Sequence, residues 1–176
     1  TSIEVIQVNT PLATPLNTAN TGGQSIVTLA GAASASTLTM PAGAATVFLA
    51  ATLNGITIAD TGAATDDSLT IVNATAANNF AGAALAVNGY ETVSISTGTV
   101  AQTATTVAVT GDVDANGVRT AATLNLSGTG SFSPTGAITL GAATGTGVIN
   151  ASTMTGAFVM GAAAVGVRTI TGGAGA

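Results

Sequence analysis

The acidic stretch GDVDANGVR, residues 111–119, has the residue types of a calcium-binding loop. Its oxygen-bearing residues alternate and then meet a glycine, in the order Asp112, Asp114, Asn116, Gly117 and Val118. A twelve-residue calcium loop takes side-chain oxygens from positions 1, 3 and 5, glycine at 6, a carbonyl at 7 and a bidentate glutamate at 12. Position 12 is here Thr123, which has no carboxylate. The stretch predicts either a calcium site completed by an oxygen from a neighbouring rung or another subunit, or an exposed Asn-Gly turn, and the turn is favoured.

A second acidic stretch, ADTGAATDDSLT at residues 59–70, contributes three carboxylates, those of Asp60, Asp66 and Asp67. Hard oxygens in flexible loops suit Ca²⁺, and a cation relieves the repulsion between two adjacent acids. An Asp-Asp-Ser sequence before a strand is also typical of a plain turn, which is again the favoured interpretation. Ca²⁺ is therefore a candidate cofactor of both acidic stretches.

Catalytic chemistry has little support in this composition. The chain has no His, Cys or Lys, which removes the usual bases, nucleophiles and electrophiles. Two carboxylates can hydrolyse a glycoside, but such a site also needs aromatic or basic groups to hold the sugar. Tyr90, Arg119 and Arg168 are too few and too scattered for that task. We therefore predict that the chain is not an enzyme.

The charge balance excludes further classes of partner. The net charge is −5 and the pI is about 4.1, whereas nucleic acids and anionic membrane surfaces attract clustered basic residues. Polar residues interrupt every apolar run well before the ~18 residues of a membrane span, so no membrane insertion is expected. Such an acidic chain without Lys or Cys suits an exported bacterial protein, with a divalent cation as counter-charge.

The elements that must position these acids are short strands. Helices need a charged or long polar outer face, but charged residues are 5% of this chain. Thr, Val and Ile favour extended backbone instead. Short patches alternate with period two, among them IVTL (26–29), ITL (138–140) and FVM (158–160). We predict an all-β fold, a parallel β-helix (β-solenoid) of short strands with six to nine rungs of ~20 residues or more. The alternative is a β-sandwich.

The domain organisation predicted is one β-solenoid segment over residues 1–176, an internal fragment of a longer chain. The stretch ATAANNFAGAALA, residues 74–86, is expected to form a lateral loop with at most one helical turn, since Asn-Asn and Gly82 weaken a helix.

The two glutamates share one local pattern, in Ile3-Glu4-Val5-Ile6-Gln7-Val8 and in Tyr90-Glu91-Thr92-Val93-Ser94-Ile95. We therefore predict that Glu4 and Glu91 have the same structural role. Each glutamate either accepts backbone N–H groups at a rung corner, which is favoured, or ligates a cation there.

The segment NGYETVSIST, residues 88–97, resembles a strand unit that recurs in large bacterial S-layer proteins and in related RTX-type calcium-binding proteins exported by type I secretion. The ending TITGGAGA, residues 169–176, resembles the lead-in to a glycine-rich nonapeptide calcium repeat, without the aspartate that would bind the ion. The resemblance implies an extracellular β-solenoid at the bacterial cell surface that self-associates into a lattice or filament. It also implies cell-surface polysaccharide as a partner, through regions outside this chain.

Two functions are therefore predicted. The first is a structural component of an extracellular bacterial surface layer or filament, self-assembling and stabilised by calcium. The alternative is a secreted adhesin or binding module, with an ice-binding solenoid less favoured because the T-x-T pairs are not evenly spaced. These pairs are Thr37/Thr39, Thr103/Thr105, Thr153/Thr155 and Thr169/Thr171.

Overall fold

A computed structural model describes residues 5–21, 23–141 and 146–175. Within these ranges the chain forms fourteen strands and one short 3₁₀ helix, Thr18–Thr21. The strands are β1 (Ile6–Val8), β2 (Leu16–Asn17), β3 (Ile26–Leu29), β4 (Ala33–Met40), β5 (Ala44–Leu49), β6 (Leu53–Asp60), β7 (Ser68–Asn73), β8 (Ala83–Asn88), β9 (Thr92–Ser96), β10 (Ala104–Thr110), β11 (Thr123–Gly128), β12 (Ile138–Leu140), β13 (Gly147–Met154) and β14 (Val167–Thr171).

Successive strands alternate between two parallel sheets. The odd-numbered strands and β14 form an eight-stranded sheet, in the order β1-β3-β5-β7-β9-β11-β13-β14. The even-numbered strands from β12 back to β2 form a six-stranded sheet. The chain thus winds as a parallel β-solenoid of about 7 turns, which confirms the predicted fold class over the β-sandwich alternative.

The rungs differ in length because their loops differ. A rung takes 20 residues between the paired residues Val27 and Val47, and 31 residues between Ile95 and Leu126. The strands keep a common register while the loops absorb every insertion. Uneven spacing of the apolar patches is therefore compatible with a regular ladder.

The core is the narrow space between the two sheets. Inward-facing side chains at paired positions of successive strands fill it and form rows along the solenoid. In the eight-stranded sheet a fully buried ladder runs through Val27, Val47, Ile71, Ile95 and Leu126. Each such side chain contributes about 1.5–3 kcal/mol of burial free energy. Period-two alternation thus places every second residue of a strand in a buried row, and a second buried row of the same sheet is Ala45, Leu69, Val93, Leu124 and Ile149.

In both sheets, the outward-facing residues that alternate with these buried residues carry no charge. In the eight-stranded sheet one outward row is Thr46, Thr70, Ser94, Asn125 and Asn150. In the six-stranded sheet one outward row is Thr37, Thr57, Ala86, Ala108 and Thr139. Among the described residues, the Asp, Glu and Arg side chains other than Arg168 lie at the loops leading from the six-stranded to the eight-stranded sheet.

Opposite these loops, buried amides hold the other corner of the solenoid. The Gln102 side chain accepts the Asn79 N–H at 2.9 Å and donates to the carbonyls of Ala77 and Val100, both at 3.0 Å. The Asn79 amide donates in turn to the Asn73 side-chain oxygen at 2.7 Å. These bonds satisfy buried polar groups where the backbone leaves the sheet.

Two local predictions are refined by the structure. In the segment 74–86, residues 74–82 form the predicted loop without a helix, but residues 83–86 belong to β8. The patch FVM at 158–160 is not a strand and contributes a single parallel bridge, between Phe158 and Phe132. In the described part of the chain, the structure contains no helix with the length and apolar character needed to cross a membrane.

Candidate metal centre

One corner of the solenoid concentrates the acidic residues. Three loops stack there, at residues 61–67 between β6 and β7, 89–91 between β8 and β9, and 111–122 between β10 and β11. The strands that enter them end in parallel register, so that Ala59 pairs with Asn88 and Asn88 with Thr110. Side chains just past these strand ends are therefore held at the same corner.

Asp67 stands immediately before β7, and its carboxylate supports the turn of the preceding rung. Its Oδ1 accepts the Gly43 N–H at 2.6 Å. The residue is 1% exposed, and its Oδ2 is buried with no hydrogen-bond partner among the described residues. An ionised carboxylate oxygen left in this state is unfavourable unless a proton or a cation reaches it.

Glu91 occupies the equivalent position one rung further, immediately before β9. Its Oε2 accepts the Asp67 N–H at 3.0 Å, and its Oε1 accepts the Asp112 N–H and the Thr120 hydroxyl, both at 2.7 Å. The favoured prediction, a glutamate that accepts backbone N–H groups at a rung corner, is confirmed for Glu91.

Glu4, in the other copy of the pattern, lies outside the described residues. The ladder runs from Ile6 through Val27, Val47 and Ile71 to Ile95. The sequence pattern instead matches Ile6 with Val93. The two copies of the pattern therefore differ by two residues in register, and the pattern is not a repeat of structural position.

Three carboxylates meet at this corner, those of Asp60, Asp67 and Asp112. One oxygen from each lies within 4.8 Å of the others. Asp60 ends β6 and Asp67 ends the loop that follows it, whereas Asp112 comes from the loop two rungs further on. Oδ2 of Asp112 is also buried without a hydrogen-bond partner in the part of the chain that the structure describes.

Gly89, in the intervening loop, makes this meeting possible. Its backbone has φ +88°, and a β-carbon there would overlap with Oδ1 of Asp60 and lie 3.4 Å from Oδ1 of Asp112. Any larger residue with this backbone would separate the two carboxylates. Glycine is therefore required both for the turn conformation and for the space between the acids.

The acids perturb one another. Burial raises the pKa of Asp60 to about 7, assisted by a hydrogen bond shared with Asp67 and by the charge of Asp112, although the Gly62 N–H opposes the shift. Burial also raises the pKa of Asp112, with help from the charges of Glu91 and Asp67, and Arg119 opposes it. The cluster thus holds more negative charge than its surroundings compensate.

Tyr90 closes the corner from the interior. Its ring is fully buried, and its hydroxyl donates to the Pro41 carbonyl at 3.4 Å. Burial raises the pKa of the phenol, and the charges of Asp60 and Asp67 raise it further. The phenol of Tyr90, the single tyrosine of the chain, therefore interacts electrostatically with the cluster.

A cleft of about 490 Å³ opens beside the carboxylates. Asp60, Asp112 and Arg119 line it, together with Gly89 and Gly111. The Arg119 guanidinium donates to the Gly111 carbonyl at 3.1 Å. The cleft supplies a route from solvent to the acidic cluster and room for water.

The seven candidate ligands separate into two groups. Asp60, Asp67 and Asp112 come together, and Asp66 is exposed beside them. Asp114, Asn116 and Val118 instead form the turn that the sequence analysis favoured.

That turn uses the Asp114 carboxylate internally. Oδ1 of Asp114 accepts the N–H groups of Asn116 at 2.8 Å and of Val118 at 2.9 Å, and these bonds lower the Asp114 pKa. The Asp114 N–H donates to the Val118 carbonyl at 2.8 Å, and Gly117 has φ +76°. The local geometry is that of a tight hairpin turn. The Asp112 carboxylate does not take part in this turn and lies in the cluster with Asp60 and Asp67.

Sequence reasoning treated the two acidic stretches separately and missed Gly89 and Glu91 as parts of one site. A signal for the grouping exists in the sequence. Asp60, Gly89 and Asp112 each follow a short alternating apolar patch, in ITIAD, LAVNG and VAVTGD. Aligning these patches would have placed the three residues at one corner.

Comparison of the chain with protein-family models, with curated proteins and with solved structures finds no match. The class of protein is therefore defined by the fold, a two-sheet parallel β-solenoid with an acidic corner.

Proposed function

We propose that the chain is a structural segment of an extracellular bacterial surface layer or filament, and that it assembles with copies of itself. The observation that carries this proposal is the separation of charge from the sheet faces. The outward rows are uncharged and consist mostly of Thr, Ser, Asn and Ala, with Phe48 and Val72 among them. The ionisable groups of the described residues lie at one corner, apart from Arg168 in β14.

The six-stranded face is the best candidate for contact between copies. Its centre is a shallow depression of about 290 Å³ with small side chains around it, including Thr57, Ala84, Ala86, Thr106 and Ala108. Removing a charged group from water costs several kcal/mol per ion, whereas an uncharged face of small residues can pack against its copy without that penalty. The neutral rows favour assembly over a role that needs a charged recognition surface.

Other functional classes have less support. The chain has no His, Cys or Lys, so an acid–base or nucleophilic site would have to be built from carboxylates and hydroxyl groups without these residues. The acidic balance gives no basic surface for nucleic acid. Of the T-x-T pairs, Thr37/Thr39 lie in the six-stranded sheet and Thr169/Thr171 in the eight-stranded sheet, so they do not form one flat ice-binding ladder.

Sedimentation velocity and electron microscopy over a concentration series test the proposal. The wild-type chain should form ordered assemblies, and Ala86→Lys combined with Ala108→Lys should abolish them by placing two charges on the six-stranded face. Ala115→Lys combined with Ala163→Lys, which adds two charges at exposed positions outside the sheets, is the matched control and should still assemble. A wild-type chain that stays monomeric at every concentration contradicts the proposal.

A further inference from the structure

The acidic corner contains a defect that the protein alone does not repair. The Asp67 side chain is buried, with 1% exposure, and its Oδ2 has no hydrogen-bond donor among the described residues. Oδ2 of Asp112 is buried in the same state. Buried carboxylate oxygens are normally hydrogen-bonded, so two such oxygens in one cluster indicate a missing positively charged ligand.

A single proton does not repair the defect. A proton on Asp60 gives Asp67 one hydrogen bond, because these two carboxyl groups are in contact. That single proton leaves Oδ2 of Asp112 without a partner. Arg119 bonds the Gly111 carbonyl, and Glu91 is an acid that already accepts three donors, so neither residue supplies the missing donor.

The geometry points to one Ca²⁺ ion bound by the carboxylates of Asp60, Asp67 and Asp112, and we propose this site. The three oxygens lie within 4.8 Å of one another. Oxygens that share one Ca²⁺ at 2.3–2.6 Å lie at most about 5 Å apart, so the spacing suits a common ion. A single +2 charge in their midst balances the carboxylates that carry the two unpartnered oxygens.

The surroundings suit Ca²⁺ better than Mg²⁺. Three protein carboxylates form the inner wall, and the cleft lined by Asp60, Asp112 and Arg119 leaves the outer side open to water. Ca²⁺ accepts six to eight oxygens in flexible geometry, whereas Mg²⁺ demands a near-ideal octahedron and usually keeps several waters. Carboxylates from loops two rungs apart match the more permissive ion.

The consequence is a clamp across the rungs. The ion joins the loop of residues 61–67 to the loop of residues 111–122 over Gly89 of the intervening loop. The two loops otherwise repel each other through their carboxylates. The inference goes beyond the proposed assembly and is independent of it, since its test measures the folded chain at low concentration.

The experiment is calorimetric titration of the metal-free chain with CaCl₂, paired with thermal melting in EDTA and in Ca²⁺. Asp67→Asn and Asp112→Asn remove one ligand each, and Asp66→Asn and Asp114→Asn are controls with the same loss of charge nearby. Wild type and controls should bind one Ca²⁺ per chain and melt higher with it. Each ligand variant should lose affinity at least about tenfold, the loss that removal of even an outer-shell partner causes.

A second readout separates ligand loss from misfolding. In EDTA, Asp67→Asn and Asp112→Asn should melt at or above the wild-type temperature, because each removes repulsion, while Asp67→Asn keeps an amide oxygen for the Gly43 N–H. In Ca²⁺ both should melt below wild type. Tb³⁺ excited through Tyr90, the single tyrosine, should luminesce in the wild type and be displaced by Ca²⁺.

Four results overturn the inference. The first is melting of the wild type that does not depend on Ca²⁺, and the second is an unchanged Ca²⁺ response in both ligand variants. The third is an equal loss in the Asp66→Asn control, which would reduce the effect to general surface charge. The fourth is an equal response to the same concentration of MgCl₂, which would remove the assignment to Ca²⁺.

Discussion

Gly89 lies so close to Asp60 that a β-carbon on residue 89 would overlap with the carboxylate oxygen Oδ1. The contact links two loops from successive rungs and leaves the space in which Asp60 approaches Asp112. The acidic corner therefore depends on a residue with no functional group of its own.

Gly89→Ala should lower stability and abolish the calcium response. The substitution combines a strained backbone at φ +88° with a clash against Asp60, and residues held in such conformations cost about 1–3 kcal/mol. Denaturant unfolding measures the first effect and calcium titration the second. Gly82→Ala is the control, because φ there is +68° with no atom within 4 Å, so it carries the strain without the clash. Equal effects of the two substitutions on Ca²⁺ affinity would contradict the role assigned to the contact.

Glu91→Gln should destabilise the corner even without calcium. Glu91 accepts two backbone N–H groups and the Thr120 hydroxyl, whereas an amide accepts through one oxygen and turns its NH₂ group toward a donor. Hydrogen bonds to charged groups contribute about 1.5–3 kcal/mol, so a loss of that order is expected in urea unfolding. Asp66→Asn, an exposed acid nearby, should change stability little. A Glu91→Gln chain as stable as wild type would show that these three bonds do not hold the corner.

The metal-free chain should lose stability as the pH rises from about 4 to about 7. The pKa of Asp60 is about 7 in the folded chain against 3.8 ordinarily, so between these values the folded state binds more protons than the unfolded state. Stability then falls with rising pH across this window. Melting temperatures in EDTA over a pH series check the sign.

Asp60→Asn should flatten most of that pH dependence, because it removes the group with the raised pKa. Saturating Ca²⁺ should also flatten it in the wild type, since the ion takes the place of the proton. Asp112 shifts in the same direction as Asp60 and should leave a smaller residual slope. A wild-type melting temperature that rises from about pH 4 to about 7 in EDTA would contradict the assignment.

Gln102→Leu should destabilise the opposite corner and leave calcium binding unchanged. The substitution strands the buried N–H of Asn79 and the carbonyls of Ala77 and Val100, and an unsatisfied buried polar group costs about 1–3 kcal/mol. Urea unfolding measures the loss. Gln7→Leu, at an exposed position of β1, is the matched control. An altered Ca²⁺ affinity in Gln102→Leu would show coupling between corners that the separate networks do not predict.

The fold class could be predicted from the sequence because its signal is local. Alternation in IVTL at 26–29 and ITL at 138–140 specifies one inward face per strand, and those patches are β3 and β12 as predicted. The patch FVM at 158–160 has the same alternation without becoming a strand. Period two is thus a strong indication of extended backbone, but pairing decides whether a patch joins a sheet.

The grouping of the acids could not be predicted from local sequence. Composition alone identified the acids as the chemically active groups, and Asp114 with Asn116 could be interpreted as a turn because an Asx turn forms within a few residues. Which acids meet depends on rung register, and register follows from the pairing of strands that are distant in the chain.

By itself, the sequence determined a narrow, all-β chain with few charged residues and with its acids at turns, since alternation, composition and turn residues act over a few positions. Only the tertiary structure decided that Asp60, Asp67 and Asp112 share one corner, and that Gly89 keeps the space between them. The physical reason is that loops of unequal length separate these residues along the chain, while the parallel ladder, held by burial of its inward rows, stacks the loops and brings the residues together.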